Sequence, residues 1–343
     1  MLRNNICALF ILLLASCRQQ AHRLSFTKYP DLQIGFSTQN FQKALPVNVA
    51  SLTDLIDYAS TEGYQFVELR DNLAILTPEE CTQLANHAKS KKIDVIYEIQ
   101  VNPLDTAFLK AFDRGLANTL LFPGPGILRS LISQSEFDVD SAKKGWSKDE
   151  MNRLAHRLDS CAAVAKAKKV QLIVENMNEP FFGDSAATSP PATSASATAA
   201  SPSTHSTSST PTTSATAATS TPSPIYGLDN LFASTSIVGL QFDIGNAFRN
   251  SSRRKADPAQ VGQWLPKLGP RWVTSHLKTL QQGISQPFLT DNPMPVEEVI
   301  DLMGRQHVKY ATIELLPVTD KQDCYDNHAK SIQFLKDKGI LVN

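Results

Sequence analysis

The sequence lacks three features that would identify common classes of protein. Its 33 Lys and Arg residues balance 33 Asp and Glu residues, so no excess of positive charge indicates a nucleic-acid partner. No two cysteines are spaced as CxxC, which argues against a structural zinc site. No GxGxxG turn follows the first predicted strand, which disfavours a doubly wound sheet that binds a dinucleotide.

The first apolar run, Ile6 to Leu14, is too short to cross a bilayer as a helix. Arg3 precedes it, and the run ends in Leu14-Ala15-Ser16-Cys17, which resembles a bacterial lipobox. That resemblance implies that residues 1–16 are a removed signal peptide and that Cys17 carries lipid. The protein would then be exported and held at a bacterial membrane by its lipid alone, without a spanning helix. The alternative is an ordinary secretory signal in which the cysteine has no role.

Cysteines give no further framework, because Cys81, Cys161 and Cys324 are an odd number on well-separated predicted helices. A different kind of segment covers residues 185–224, which are Ser, Thr, Ala and Pro throughout apart from His205. Nothing in it is apolar enough to offset the entropy of ordering, so we predict a disordered insertion. It would be either a neutral insertion or a glycosylated or spacer loop near the functional face.

The remaining chain alternates short apolar strands with helices. The predicted strands cover residues 32–36, 66–69, 93–99, 119–122, 170–174, 238–242, 272–277 and 310–315. The predicted helices cover residues 51–62, 77–92, 105–116, 147–169, 228–233, 258–268, 295–306 and 324–338. Continuous apolar strands indicate burial on both faces, and eight strand–helix units predict one (βα)8 TIM barrel over residues 32–343, after a tether at 17–31. Residues 127–146 are left as an insertion, and an open sheet is the competing architecture.

Four consecutive predicted strands each end in a residue that can bind a metal. Glu175, Asp243, His276 and Glu314 end the fifth, sixth, seventh and eighth strands. The C-terminal ends of barrel strands meet at one rim, so these side chains should converge. Three carboxylates and one imidazole suit Mn²⁺ or Mg²⁺, with Zn²⁺ or Co²⁺ as alternatives. A polar cluster without metal is the other interpretation.

The same strand ends carry a family resemblance. The pieces Val-Glu175-Asn, Phe-Asp243-Ile-Gly-Asn, Ser-His276-Leu-Lys and Ile-Glu314-Leu resemble those of the xylose isomerase-like barrels. That superfamily includes ketose 3-epimerases, hydroxypyruvate isomerase, inosose dehydratase and endonuclease IV. By position, the resemblance implies that the four residues bind one divalent ion. It also implies that Glu175 and Glu314 move protons on opposite faces of a sugar, through an enediolate.

Other polar residues near these ends are candidates for the pocket. Predicted substrate-binding residues are Arg70 after the second strand and Asn176, Asn246 and Lys278 beside the metal ligands. Glu68 also ends the second strand, and a salt bridge within the barrel is the alternative role for Arg70. Tyr97, Glu98 and Gln100 could line the pocket, although one or two of them must face the helices. Glu179 could be an auxiliary acid or a solvated loop residue, and Phe181 and Phe182 could form an aromatic wall or cover the barrel. The resembled family commonly has His-x-Lys-Asp on the seventh strand, whereas this chain has Thr279 in place of the acid.

Histidine positions exclude the nuclease version of the fold, which needs several metal-binding histidines at early strand ends. Only His276 ends a predicted strand, whereas the other six lie on the tether, on helices or in the insertion: His22, His87, His156, His205, His307 and His328. A trinuclear zinc site therefore cannot be assembled.

The leading functional hypothesis is a metal-dependent sugar isomerase or epimerase that works outside the cytoplasm. A lyase or hydrolase of 3-keto glycosides would use the same metal and the same proton abstraction, with loss of a leaving group in place of reprotonation. A lipoprotein that binds carbohydrate without turnover is the hypothesis from another class. The expected partner is a sugar or glycoside, with no nucleic acid, and a homo-oligomer remains open.

Overall fold

The computed structural model describes residues 23–71, 76–132, 145–177, 180–183, 226–248, 256–281 and 284–343. The predicted signal peptide, Cys17, Glu179 and the whole 185–224 insertion lie outside the described residues. Among the helices that are described, none is both long and apolar enough to cross a membrane.

Eight parallel strands close into a barrel, with the eighth paired to the first. They are β1 (Gln33–Ser37), β2 (Phe66–Asp71), β3 (Asp94–Ile99), β4 (Ile127–Leu131), β5 (Gln171–Glu175), β6 (Gly239–Asp243), β7 (Trp272–Leu277) and β8 (Tyr310–Ile313). The predicted TIM barrel is therefore confirmed, and the open sheet is excluded.

Helices surround the barrel in the order that the sequence predicted. They are α1 (Val49–Glu62), α2 (Pro78–Lys91), α3 (Phe108–Thr119), α4 (Lys148–Ala167), α5 (Leu228–Ser234), α6 (Pro258–Trp264), α7 (Val296–Arg305) and α8 (Lys321–Asp337). Capping boxes begin α2 at Thr77 and α4 at Ser147, where each side-chain oxygen accepts the backbone N–H of a glutamate three residues later. A 3-10 segment, Leu265–Arg271, continues α6.

The fourth strand is the main error of the sequence prediction. Residues 119–122 end α3 and form a turn, and the strand lies at Ile127–Leu131, inside the segment predicted as an insertion. Gly124 and Gly126 have φ values of +129° and +65°, so this Pro-Gly-rich piece is a turn before the strand and not an ending after one. The backbone N–H of Gln171, the first residue of β5, donates to the carbonyl of Gly126. This hydrogen bond attaches the turn before β4 to the neighbouring strand.

Packed structure also begins earlier than the predicted boundary at residue 32. Ser25–Phe26 pairs antiparallel with Leu341–Val342, and the side chains of Leu24 and Phe26 are buried. This short strand therefore attaches the end of the predicted tether to the C-terminal end of the chain, and the buried side chains of Leu24 and Phe26 join the core.

Side chains inside the barrel change from apolar to charged along the strands. A small apolar cluster, separate from the main core, is drawn from six strands: Phe66, Ile96, Ile127, Ile173, Val273 and Tyr310. Since alternate residues of a strand share a face, the residue two positions later points into the barrel as well. Those next residues include Glu68, Glu98, Arg129 and Glu175, all buried, so the charged layer lies toward the C-terminal ends of the strands.

Candidate metal centre

The four predicted metal ligands stand at the ends of four neighbouring strands. Glu175 ends β5, Asp243 ends β6, His276 is the penultimate residue of β7, and Glu314 directly follows β8. Asp243 and His276 are register partners across the β6–β7 ladder. All four side chains are buried. The barrel closure therefore brings together residues that are up to 139 positions apart in the sequence.

Potential ligand atoms of the four residues all lie within 4.8 Å of one another. The Nδ1 atom of His276 is 3.0 Å from Oε1 of Glu175 and 3.5 Å from Oδ2 of Asp243, and it also contacts Glu314. One ion placed among these atoms could be bound by three carboxylates and one imidazole, so the group could hold a single divalent metal.

Glu68 fixes the orientation of the His276 ring. Its Oε2 atom lies 2.6 Å from Nε2 of His276, on the side of the ring away from the three carboxylates. Its Oε1 atom accepts hydrogen bonds from the Thr312 hydroxyl at 3.0 Å and from the Gln241 amide. A carboxylate that holds the second ring nitrogen leaves the first nitrogen directed at the metal position. Glu68 was a minor candidate from the sequence, and its partner could not be named.

Lys278 joins two of the predicted ligands. Its Nζ atom is 3.2 Å from Oδ2 of Asp243 and 3.0 Å from Oε1 of Glu314. A Cβ atom on Gly245 would lie 2.7 Å from the Lys278 chain, so a glycine there leaves room for the lysine stem. In this structure the Lys278 ammonium group contacts both carboxylates. Its contact with substrate remains a prediction.

Asn176 and Asn246 hydrogen-bond to two of the predicted metal ligands, Asp243 and Glu175. The Asn176 amide donates to the backbone carbonyl of Asp243 at 2.9 Å and accepts its N–H at 2.7 Å. The Asn246 amide donates to Oε1 of Glu175 at 3.3 Å, and the Asn246 N–H donates to Oδ1 of Asp243 at 2.7 Å. Both residues lie beside the predicted ligands, and their contact with substrate remains a prediction.

Two arginines form a buried ion-pair chain that the sequence predicted only in part. Nε of Arg70 lies 3.1 Å from Oε1 of Glu98, and Arg129 on β4 contacts both Glu98 and Glu175. Burial raises the pKa of Glu98, although both guanidinium groups oppose that shift. Arg129 was missed because β4 was misplaced. Its signal was the spacing Ile127–Arg129, which matches Ile173–Glu175.

Every Asp, Glu, Lys or Arg side chain that is buried in the described part of the chain belongs to this one cluster. Five carboxylates face three fixed cations, so the formal charge is −2 when His276 is neutral, and a divalent ion would bring it to zero. The members are Glu68, Glu98, Glu175, Asp243, Glu314, Arg70, Arg129 and Lys278. Because uncompensated buried charge is costly, this deficit of two charges fits a divalent cation.

The pKa shifts at the site follow from its mixed charges. Burial alone would raise the pKa of Glu314, but the Lys278 ammonium and the His276 ring outweigh it and hold that pKa well below its usual range. Burial likewise opposes the charged form of His276, yet the carboxylates of Glu68 and Glu314 raise its pKa well above 6.5. The Glu314 carboxylate is therefore ionised at neutral pH, which is the state that a metal ligand needs.

Other sequence candidates lie away from the ligand atoms. The Tyr97 hydroxyl accepts from Asn118 on α3, so the ring points out of the barrel. The Gln100 amide donates to Glu98 at 3.2 Å. Phe181 packs against Trp264 of α6 with ring centroids 5.1 Å apart, and Phe182 packs against Phe181. These two aromatic residues cover the outside of the barrel, as one of the two sequence interpretations had it.

Thr279, which stands where the resembled family has an acid, forms hydrogen bonds with the backbone of a loop. Its buried hydroxyl accepts the N–H of Thr290 at 2.7 Å and donates to the carbonyl of Thr290 at 3.1 Å. The side chain therefore fastens the 286–292 loop to the end of β7 and is not directed at the ligand atoms.

Several solved structures share the barrel fold of this chain. A sugar phosphate isomerase/epimerase from Parabacteroides distasonis is 12% identical with a TM-score of 0.56, covering 89% of this chain and 96% of its own. D-allulose 3-epimerase from Methylomonas sp., in complex with D-allulose, is 12% identical with a TM-score of 0.56, covering 92% and 99%. A xylose isomerase-like TIM barrel protein from Mycobacterium smegmatis, in complex with magnesium, is 14% identical with a TM-score of 0.55, covering 89% and 97%.

Sequence comparison adds no closer relative: no protein-family model and no curated protein matches the chain. At identities of 12–14%, the structural likeness shows the fold and leaves the activity to be argued from the site. The chain has the fold of the xylose isomerase-like TIM barrels.

Proposed function

We propose that this protein is a sugar isomerase or epimerase that depends on one divalent metal ion. The observation that carries the proposal is the buried cluster of Glu175, Asp243, His276 and Glu314, in a site where five buried carboxylates face only three Lys and Arg side chains. A binding protein without turnover has no need to bury five carboxylates at the mouth of a barrel, where each must be compensated.

The proposed chemistry is proton transfer beside a sugar carbonyl. Glu175 and Glu314 come from β5 and β8, and each has a fixed cation beside it, Arg129 and Lys278 respectively. One carboxylate removes the proton from the carbon next to the carbonyl, which leaves an enediolate, and the other returns a proton to the opposite face. A bound divalent cation would supply polarisation of the carbonyl and stabilisation of the negative charge beside it.

Two of the similar structures support the choice of ligands. The Methylomonas epimerase holds D-allulose, and the Mycobacterium protein holds magnesium. Three carboxylates and one imidazole make an oxygen-rich site, so we propose Mg²⁺ or Mn²⁺ and a free sugar as the ligands of this chain.

The test is metal analysis followed by deuterium exchange. Purified protein should contain about one divalent ion per chain, and sugar incubated with it in D2O should gain deuterium on the carbon next to the carbonyl. Glu314→Gln should lose this exchange, whereas Glu62→Gln, the same change on the exposed face of α1, should keep it. Release of a leaving group from 3-keto glycosides would assign the lyase or hydrolase reaction instead. Wild-type protein without metal, or full exchange in Glu314→Gln, would refute the mechanism.

We also propose that the protein is exported and anchored by lipid on Cys17. The support is the lipobox-like sequence that ends at this cysteine. Mass spectrometry of the mature N-terminus should find a lipidated Cys17, and Cys17→Ser should move the protein from the membrane fraction to the soluble one. A mature chain that begins elsewhere without lipid would overturn the assignment.

A further inference from the structure

Glu314 lies just beyond the part of β8 that is paired to β1. The β1–β8 ladder ends with Phe36 opposite Ile313, because β1 stops at Ser37 and the chain turns into the 3-10 helix Thr38–Phe41. On its other side, the N–H of Glu314 donates to the carbonyl of Leu277 at 3.1 Å. Main-chain pairing therefore holds this residue from β7 but no longer from β1.

The side chain of Asn40 continues the missing ladder. Its Nδ2 atom donates to the carbonyl of Ile313 at 3.0 Å, and its Oδ1 atom accepts the N–H of Leu315 at 2.8 Å. A carboxamide has the same donor and acceptor as a peptide group, so Asn40 grips the backbone on both sides of Glu314.

His328 on α8 holds the Asn40 amide in this orientation. Its Nε2 atom lies 2.9 Å from Nδ2 of Asn40 and its Nδ1 atom lies 3.2 Å from the Tyr64 hydroxyl. Because the amide nitrogen can only donate, Nε2 must accept, and an amide turned by 180° would set its oxygen against two acceptors. The ring is fully buried and stacks on Phe41 with centroids 5.1 Å apart, so it has little freedom to move.

We propose that Asn40, held by His328, is a positioning residue that sets the place of the Glu314 carboxylate in the metal centre. The inference rests on the proposed function for its consequence, since a misplaced Glu314 matters only if it binds metal. The two hydrogen bonds from Asn40 to the backbone on either side of Glu314, which we call the clamp, are observed directly and do not depend on the proposed function. Outer partners of metal ligands typically change metal affinity by about 10- to 100-fold when they are removed.

The first test titrates metal-free protein with Mn²⁺ and measures binding by calorimetry or by the electron paramagnetic resonance of the ion. Asn40→Ala should weaken binding by about tenfold or more. The matched control is Asn118→Ala, which removes another buried amide, one that donates to Tyr97 on the outside of the barrel, and should bind as wild type. In a Glu314→Gln background, Asn40→Ala should have little further effect, because the residue acts through Glu314. Equal weakening in both backgrounds, or wild-type affinity in Asn40→Ala, would overturn the proposal.

The second test needs no metal and separates this proposal from the proposed function. Hydrogen exchange at the amide of Leu315 should be about tenfold faster in Asn40→Ala than in wild type or Asn118→Ala, because that amide loses its acceptor. If wild-type protein binds no metal, the proposed function fails and exchange alone decides the clamp. If wild-type protein binds metal but exchange is unchanged, the clamp is wrong and the function stands. If Asn40→Ala does not fold, His328→Phe is the substitute, because phenylalanine fits among the aromatic rings around His328 and removes one hydrogen-bond partner of Asn40. Weaker Mn²⁺ binding and faster exchange at Leu315 should both appear, each to a smaller extent.

Discussion

Nε2 of His276 lies 2.6 Å from Oε2 of Glu68, while Nδ1 of the same ring faces Glu175, Asp243 and Glu314. The imidazole therefore lies between the Glu68 carboxylate, on its Nε2 side, and the three other carboxylates, on its Nδ1 side. When Nε2–H donates to Glu68, the lone pair of Nδ1 is free for a cation, so Glu68 selects the tautomer that a metal ligand requires.

Glu68→Gln should weaken metal binding by about 10- to 100-fold, because the neutral amide holds the Nε2 proton less firmly. The measurement is a Mn²⁺ titration of metal-free protein. Glu62→Gln supplies the same chemical change on an exposed helix face and should titrate as wild type. If Glu68→Gln binds Mn²⁺ as tightly as wild type, the carboxylate does not orient the ring.

Arg129→Met should destabilise the metal-free fold by about 3–5 kcal/mol, because it leaves Glu98 and Glu175 buried without their common cation. Urea unfolding in the presence of a chelator measures the loss. Glu98 keeps Arg70 beside it, so adding Glu175→Gln, which removes the carboxylate left without an arginine, should regain part of the lost stability. A single variant within about 1 kcal/mol of wild type would mean that the ion pair contributes little, as exposed pairs do.

The grouping of the four candidate ligands could be predicted because strand ends have a local signature. Glu175, Asp243, His276 and Glu314 each follow a short apolar run, and barrel geometry alone brings such positions to one rim. Strand β4 lacked that signature, since Arg129 interrupts its apolar run, whereas Leu120 and Leu121 imitate a strand and are in fact exposed. Local apolarity could not distinguish a charged interior strand from an apolar helix end.

The partners of the ligands could not be predicted, because they depend on contacts between distant parts of the chain. Asn40 reaches Ile313 across 273 positions, and Glu68 reaches His276 across 208. Neither residue belongs to a motif that names its partner. Alternation within strands gives a weaker signal: Glu68, Glu98 and Arg129 each follow an apolar interior residue by two positions, which indicates that they face the same interior.

Thr279→Asp should lower stability by about 1–3 kcal/mol and should not raise activity, although it restores the residue found in the resembled family. An ionised carboxylate could still accept the N–H of Thr290, but it cannot donate to the carbonyl of Thr290, and its charge would be buried. Thermal unfolding is the measurement, and Thr279→Ser, which keeps the hydroxyl, should remain close to wild type. A stable and more active Thr279→Asp would mean that this position faces the substrate.

His328 should make the stability of the fold depend on pH below neutrality. Burial lowers its pKa from 6.5 to about 3, so the unfolded chain takes up a proton near pH 6 that the folded ring refuses. Its contribution is therefore complete above pH 6.5 and is lost as the pH falls toward 3, by about 1.4 kcal/mol per pH unit or roughly 2 kcal/mol between pH 6.5 and 5.

Urea unfolding of wild type and His328→Phe, with chelator at several pH values, isolates this contribution. The surrounding hydroxyls of Tyr58, Tyr64 and Tyr325 have raised pKa values, so they stay neutral throughout the range. Carboxylates elsewhere titrate alike in both proteins and cancel in the difference. The stability advantage of wild type should therefore shrink by roughly 2 kcal/mol from pH 6.5 to 5. Parallel curves would mean that the folded ring accepts a proton, which would break its acceptor contact with the Asn40 amide.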